Sequence, residues 1–185
     1  MVNLPVRGGM RLFAAIDFDG LVKEKIAGFC RELSAAGLRG SFTPPGNLHL
    51  TLKFLGDVEP TRLPAIEAAL QTVKPVNFTL IPTRCGAFAA RGEKTVWLGV
   101  EGSGLSDLAL AVDQALCNAG FEPERRVFVP HITVARRAVC NDAILAAVAL
   151  PDFIANVHET TLFESRRDGG RLWYKPLLRA NFSNV

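Results

Sequence analysis

Two hydrophobic periods alternate along this chain. Residues 11–18, RLFAAIDF, read as a strand. Asp19 can cap a helix behind it, because Val22, Ile26, Phe29 and Leu33 recur at helical spacing until Gly37 stops the pattern. A strand over 48–55 follows, then a short helix marked by Leu63, Ile66, Leu70 and Val73, then a strand from Asn77 to Thr83. The order then recurs. Thr95–Val100 reads as a strand, Leu105, Leu108, Val112 and Leu116 as a helix closed by Gly120, and the segment around His131 as the next strand. Asn141 can cap a short helix running to Pro151, Phe153–Phe163 reads as a returning strand, and Trp173–Phe182 pairs with it across the Asp168-Gly169-Gly170 turn. This irregular alternation lacks the even βαβ rhythm of a parallel sheet, and the matched order of the two halves suggests an internal pseudo-twofold duplication.

Each half delivers one copy of a five-residue pattern, apolar-His-apolar-Thr-apolar: Leu48-His49-Leu50-Thr51-Leu52 and Pro130-His131-Ile132-Thr133-Val134. Successive strand side chains point to opposite faces, so each His shares a face with its Thr while the apolar residues fill the other. Two such pairs across a cleft would set two proton-transfer groups and two hydroxyls around one atom, for which phosphorus is the natural candidate. A lone histidine of this kind reads more simply as a hydrogen-bonded strand residue; its repetition in the same register of both halves favours chemistry. His158-Glu159-Thr160 spells the bare motif without the apolar flanks, and reads as a solvated strand position.

Charge and cysteine content narrow the classes. A composition 49% apolar and 21% charged describes a folded chain, and a formal charge of +3 is compatible with a polyanionic ligand without requiring one. The longest apolar stretch, Ala143–Leu150, is too short to span a bilayer. Residues 1–10 hold no signal-like run, so Met10 reads as the physiological start and residues 1–9 as an N-terminal extension. Cys30, Cys85, Cys117 and Cys140 are scattered, which argues against a disulfide framework or a zinc site and for a cytoplasmic protein. No metal or other cofactor is expected. Among cations, Lys53 falls on the alternation face of His49 and Thr51, Arg136 lies just beyond Thr133, and Arg126 lies upstream of His131; all three suit phosphate, whereas Arg137 reads as an ordinary solvated charge. Phe13, Phe88, Phe128 and Tyr174 could stack a base, although core packing is the simpler reading for each phenylalanine.

Taken together, Met10–Ile16, HLTLKFLG at 49–56, a Gly86-x-Phe88 turn, Val96–Val100, RVFVPHITVARR at 126–137 and Leu162–Ser165 resemble the 2H phosphoesterase superfamily. The closest likeness is to its RNA 2',3'-cyclic phosphodiesterase branch, also described as 2'-5' RNA ligase. That resemblance implies an α+β fold over residues 10–185, one bilobal pseudo-twofold domain whose two antiparallel sheets form a central cleft with helices packed outside. It implies metal-independent hydrolysis of a terminal 2',3'-cyclic phosphate to a 2'-phosphate, with His49 as proton donor, His131 as proton acceptor, and Thr51, Thr133 and Arg136 on the phosphate. RNA ends or small nucleotides bearing a cyclic phosphate would be the partners of a monomer, and a 5'-hydroxyl in place of water would give reversible 2'-5' ligation. Two alternatives stay open: a phosphodiesterase for another small nucleotide, such as a 2'-5' linkage or a cyclic nucleotide, and an RNA-end-binding module without chemistry. The Gly170–Tyr174 segment departs from the family's spacing and leaves the place of Tyr174 open.

Overall fold

A computed structural model describes residues 8–74, 77–90 and 93–182. The elements run β1 (Met10–Asp17), α1 (Gly20–Ala35), β2 (Arg39–Phe42), β3 (His49–Val58), α2 (Leu63–Gln71), β4 (Phe78–Ala90), β5 (Glu93–Glu101), α3 (Leu105–Asn118), β6 (His131–Val139), α4 (Asp142–Ala146), β7 (Ala155–Val157), β8 (Glu159–Asp168) and β9 (Arg171–Asn181). Residues 1–7, most of the expected N-terminal extension, lie outside the described residues; β1 begins at Met10.

The strands join in the order β7-β4-β5-β6-β3-β1-β8-β9, with β2 added on β6, and each pairing is antiparallel. This order is symmetric about its middle: β3 and β6, the two histidine strands, meet there through a single residue pair, Leu50 with Ile132. The curled sheet therefore consists of two antiparallel halves joined along a thin seam. The chain also exchanges strands between them. After β3 it crosses to lay β4 against β5, and after β6 it returns to lay β8 against β1.

Local chemistry sets the helix ends. The Asp19 carboxylate accepts the Val22 amide at 2.8 Å, and the Asn141 side chain accepts that of Ile144 at 3.0 Å. Both long helices close alike: Leu38 N–H donates to Leu33 and Gly37 N–H to Ser34, while Phe121 N–H donates to Leu116 and Gly120 N–H to Cys117. Gly37 and Gly120 adopt the positive φ that this ending needs, 106° and 84°. Burying one helix stripe against one sheet face makes a continuous core that crosses the seam, from Leu12 and Leu33 through Leu50 and Ile132 to Leu98 and Leu116. On the opposite face Phe13, Ala15 and Phe163, joined by Tyr174, form a smaller cluster.

Several boundaries differ from the sequence reading. The Gly86-x-Phe88 segment is not a turn; it continues β4, where Gly86 pairs Trp97 and Phe88 pairs Thr95. Helix α4 stops at Ala146, well before Pro151. The single strand expected over Phe153–Phe163 is two, because β7 pairs β4 and β8 pairs β1, and the chain changes neighbours at His158. That histidine is exposed, as expected, but lies at the break rather than within a strand. Strand β2 has no hydrophobic alternation to announce it; three of its four residues are exposed, and its hydrogen bonds to β6 hold it.

Candidate active site

The seam places the two histidines on adjacent strands, with His49 paired to Asp17 of β1 and His131 to Gly99 of β5. The same device orients both rings. His49 Nδ1–H donates to the Asn47 carbonyl at 2.7 Å, and His131 Nδ1–H donates to the Val129 carbonyl at 2.7 Å. A carbonyl two residues back fixes the tautomer in each case and leaves Nε2 of the neutral ring bare for proton transfer. At His49 that nitrogen accepts from Thr51 Oγ1 at 3.0 Å.

Aromatic contacts repeat the symmetry. Tyr174 meets His49 edge-on, centroids 5.0 Å apart at 87°, and Phe88 meets His131 at 5.1 Å and 87°. Phe13 and Trp97 add second contacts, at 4.9 Å to His49 and 6.5 Å to His131. Trp97 can lie across the sheet only because β4 has a glycine beneath it: a Cβ on Gly86 would come within 2.5 Å of the indole ring. Of the four aromatic candidates, Phe13 is buried in the smaller cluster and Phe128 packs on the main core, as expected. Phe88 is 40% exposed and departs from the core reading. Tyr174, whose place the sequence left open, stands beside His49.

A cleft of about 290 Å³ opens beside this seam, lined by His49, Thr133, Arg136, Arg137, Arg167, Arg171, Tyr174 and the 41–47 segment. Thr43 closes one wall by donating its hydroxyl to the Thr133 carbonyl at 2.8 Å. Arg136 lines this cleft. Arg137, read as an ordinary charge, lines the same cleft and donates to Ser41 Oγ at 2.8 Å. Arg126 does not take part: it is exposed and its guanidinium engages Glu124 at 3.2 Å.

Lys53 is also absent from the cleft. Between Thr51, paired to Ala15, and Lys53, paired to Ala14, the β1/β3 register slips at Leu52. A bulge breaks the alternation, so Lys53 turns to the helix-covered side, where its ammonium binds Asp113 of α3 and the Glu122 carbonyl. Arg167, Arg171, Asn47 and Asp17 were not singled out from the sequence. Their only local signal is the pair of arginines flanking the Asp168-Gly169-Gly170 turn, and nothing local reveals which wall the hairpin covers.

Burial pushes the His49 imidazole down to about 4, with the Arg136 and His131 charges acting in the same direction and the Asn47 carbonyl and Asp17 opposing. Asp17 is itself held by Lys23 at 2.6 Å and Arg179 at 3.2 Å. The folded protein keeps this ring neutral, whereas the unfolded chain protonates it below about 6.5. The contribution to stability is thus complete above that pH and lost as pH falls toward about 4. We expect a loss of about 2 kcal/mol, short of the ~3 kcal/mol for the whole displacement, because the cleft-facing ring edge keeps contact with water. Urea unfolding at neutral and acid pH checks this: His49→Gln should show that much less acid destabilisation, and an identical loss in both proteins would refute it.

Among the described residues no group of three or more His, Cys, Asp or Glu is arranged to hold a metal ion, and no helix is long and apolar enough to cross a membrane.

Comparison with known proteins agrees with this architecture. The family model of the 2'-5' RNA ligase superfamily matches residues 23–169. The RNA 2',3'-cyclic phosphodiesterase of Methanocaldococcus jannaschii is 34% identical over 128 residues, 69% of this chain and 71% of that protein. The Escherichia coli K12 protein of the same name is 32% identical over 171 residues, 91% and 94% of the two chains. The crystal structure of E. coli LigT in apo form superposes with a TM-score of 0.78 at 31% identity, covering 95% of this chain and 99% of that one. The LigT complex with 3'-AMP does so at 0.76 and 30%, with the same coverage. The chain belongs to the 2'-5' RNA ligase superfamily.

Proposed function

We propose that this protein is an RNA 2',3'-cyclic phosphodiesterase that opens a terminal cyclic phosphate to a 2'-phosphate and a 3'-hydroxyl. The observation that carries the reading is the twinned ring geometry: two imidazoles on adjacent strands, each with Nδ1 committed to a carbonyl two residues back and Nε2 left for the substrate. The names of the relatives and their coverage of this chain support it.

In this mechanism His131 Nε2 takes a proton from water as the water oxygen attacks phosphorus. The P–O3' bond breaks on the opposite side, and His49 Nε2 supplies the proton that O3' requires. The Thr51 and Thr133 hydroxyls and the Arg136 guanidinium bind the non-bridging oxygens, where negative charge builds in the transition state. Without substrate His49 is neutral near pH 7, so its acid role needs a proton acquired with the substrate. An anionic phosphate beside the ring raises its basicity and supplies that coupling. The Thr51 hydroxyl, which donates to Nε2 of the neutral ring, is released to donate to phosphate once the ring is protonated. With a ribose 5'-hydroxyl attacking phosphorus in place of water, the same two proton transfers break the P–O3' bond and join RNA ends through a 2'-5' linkage.

The same reading makes the protein a cytoplasmic monomer that needs no metal. Its four cysteines are free, and burial pushes the Cys30 and Cys85 thiols up to about 11. The test is incubation with an RNA oligomer ending in 2',3'-cyclic phosphate, with chelator present. A 2'-phosphate product is expected. A 3'-phosphate product, or turnover abolished by chelation, would overturn the mechanism, and tight binding without turnover would leave an RNA-end-binding module.

A further inference from the structure

The cleft carries more positive charge than one reacting phosphate needs. Four arginines line it, Arg136 and Arg137 from β6 and Arg167 and Arg171 from the β8/β9 hairpin, and no Asp or Glu does. That local excess is larger than the +3 of the whole chain. Among the described residues the guanidinium groups of Arg136, Arg167 and Arg171 have no hydrogen-bond or ion-pair partner, whereas Arg126, Arg166 and Arg179 each engage a carboxylate. Clustered like charges repel, and a bound anion relieves that repulsion.

Two features show that the wall is built. Consecutive strand residues point to opposite faces, yet Arg136 and Arg137 both line the cleft. The β6 registers slip here, and Arg137 is the one described non-glycine residue with positive φ, 49°. A strained bulge therefore turns a second guanidinium inward. Opposite it, the buried side chain of Asn47 donates to the Leu172 carbonyl at 2.9 Å and ties the hairpin to the cleft wall.

We propose that this arginine wall binds the phosphodiester on the 5' side of the reacting nucleotide, so that the enzyme takes RNA strands in preference to cyclic mononucleotides. The inference rests on the cyclic phosphodiesterase reading. With the cyclic phosphate at the histidine seam, the wall extends the same cleft from His49 out to the hairpin turn, where a neighbouring phosphodiester of the strand would meet it.

The test compares a 2',3'-cyclic mononucleotide, a dinucleotide with the same cyclic end, and that dinucleotide with a neutral methylphosphonate linkage. Arg167→Gln and Arg171→Gln should each lower kcat/KM on the natural dinucleotide about tenfold, the effect of one charge-assisted phosphate contact. Both should leave the mononucleotide within about twofold of wild type. The neutral linkage should erase the wild-type preference for the dinucleotide, as should added salt. Equal losses on both cyclic substrates, or a neutral linkage turned over as well as the natural one, would overturn the proposal. Binding of a fluorescent dinucleotide 2'-phosphate, read by anisotropy, stands apart from catalysis: weaker binding by the two variants supports the wall, and unchanged binding overturns it. Absence of turnover by wild type on every substrate would instead count against the phosphodiesterase reading.

Discussion

His49→Ala and His131→Ala should each lower kcat on an RNA oligomer ending in 2',3'-cyclic phosphate by about 10² to 10⁴-fold, the usual worth of a positioned acid or base. In the proposed mechanism each variant removes a different proton transfer. Without His131 the attacking water must lose its proton unaided, and without His49 the departing O3' leaves as an alkoxide. Neither loss should much weaken ground-state binding, because Thr133 and the four arginines of the cleft remain in place. A double variant should be about as inactive as the worse single one, since both groups serve one transition state. Single-turnover assays with gel separation of 2'-phosphate and cyclic ends, paired with binding measurements, check this. Near-wild-type 2'-phosphate formation by either single variant would sink the twin-histidine mechanism.

Lys53→Ala should behave in the opposite way, destabilising the fold by about 3 kcal/mol while leaving kcat and KM of the folded protein unchanged. The Lys53 side chain is 4% exposed, and its ammonium joins β3 to Asp113 and to the Glu122 carbonyl beyond α3. Removing it strands a mostly buried carboxylate, which keeps only the Glu124 amide at 3.1 Å and a weak contact from Cys117, and opens a void where the aliphatic stem lay. For a chain of this size the loss corresponds to a drop in Tm of about 6 to 12 °C. Lys53→Met, which fills the void, should recover part of it. A normal Tm with a raised KM would instead return Lys53 to the phosphate site. Thermal melts and steady-state kinetics on the same preparations separate the two outcomes.

The contrast between His49 and Lys53 marks how far strand alternation can be read. From His49 to Leu52 the period of two holds, and residue type alone put the imidazole and hydroxyl together on one face. At Leu52 one unpaired residue reverses the phase, and the forces that place it there lie in β1 and α3, far along the chain. Arg137 shows the same limit from the other side. Alternation turned it away from Arg136, and a bulge with a left-handed residue turned it back.

Helices were legible because their signals are local. Asp19, Asn141, Gly37 and Gly120 act within one turn of their own positions, and the stripes that face the core repeat every three to four residues. Strand partners were less so. The break at His158 arises because β7 and β8 belong to different halves of the sheet, and no local composition encodes a change of neighbour. Strand β2 owes its existence to the unpaired edge of β6 rather than to its own sequence.

By itself, then, the sequence determined the two His-x-Thr pairs, the repeated order of elements, the Asp19 and Asn141 caps, the glycine ends of the two long helices and the family, since each is written in spacings of a few residues or in their repetition. Tertiary structure alone decided that Leu50 meets Ile132 at the seam, that Tyr174 and Phe88 stand edge-on to the histidines, that Lys53 belongs to the core, and that four arginines share one wall. Those outcomes depend on contacts between residues distant in the chain and on bulges that shift phase by one. Burial of the continuous core selects both, and no window of neighbouring residues contains them.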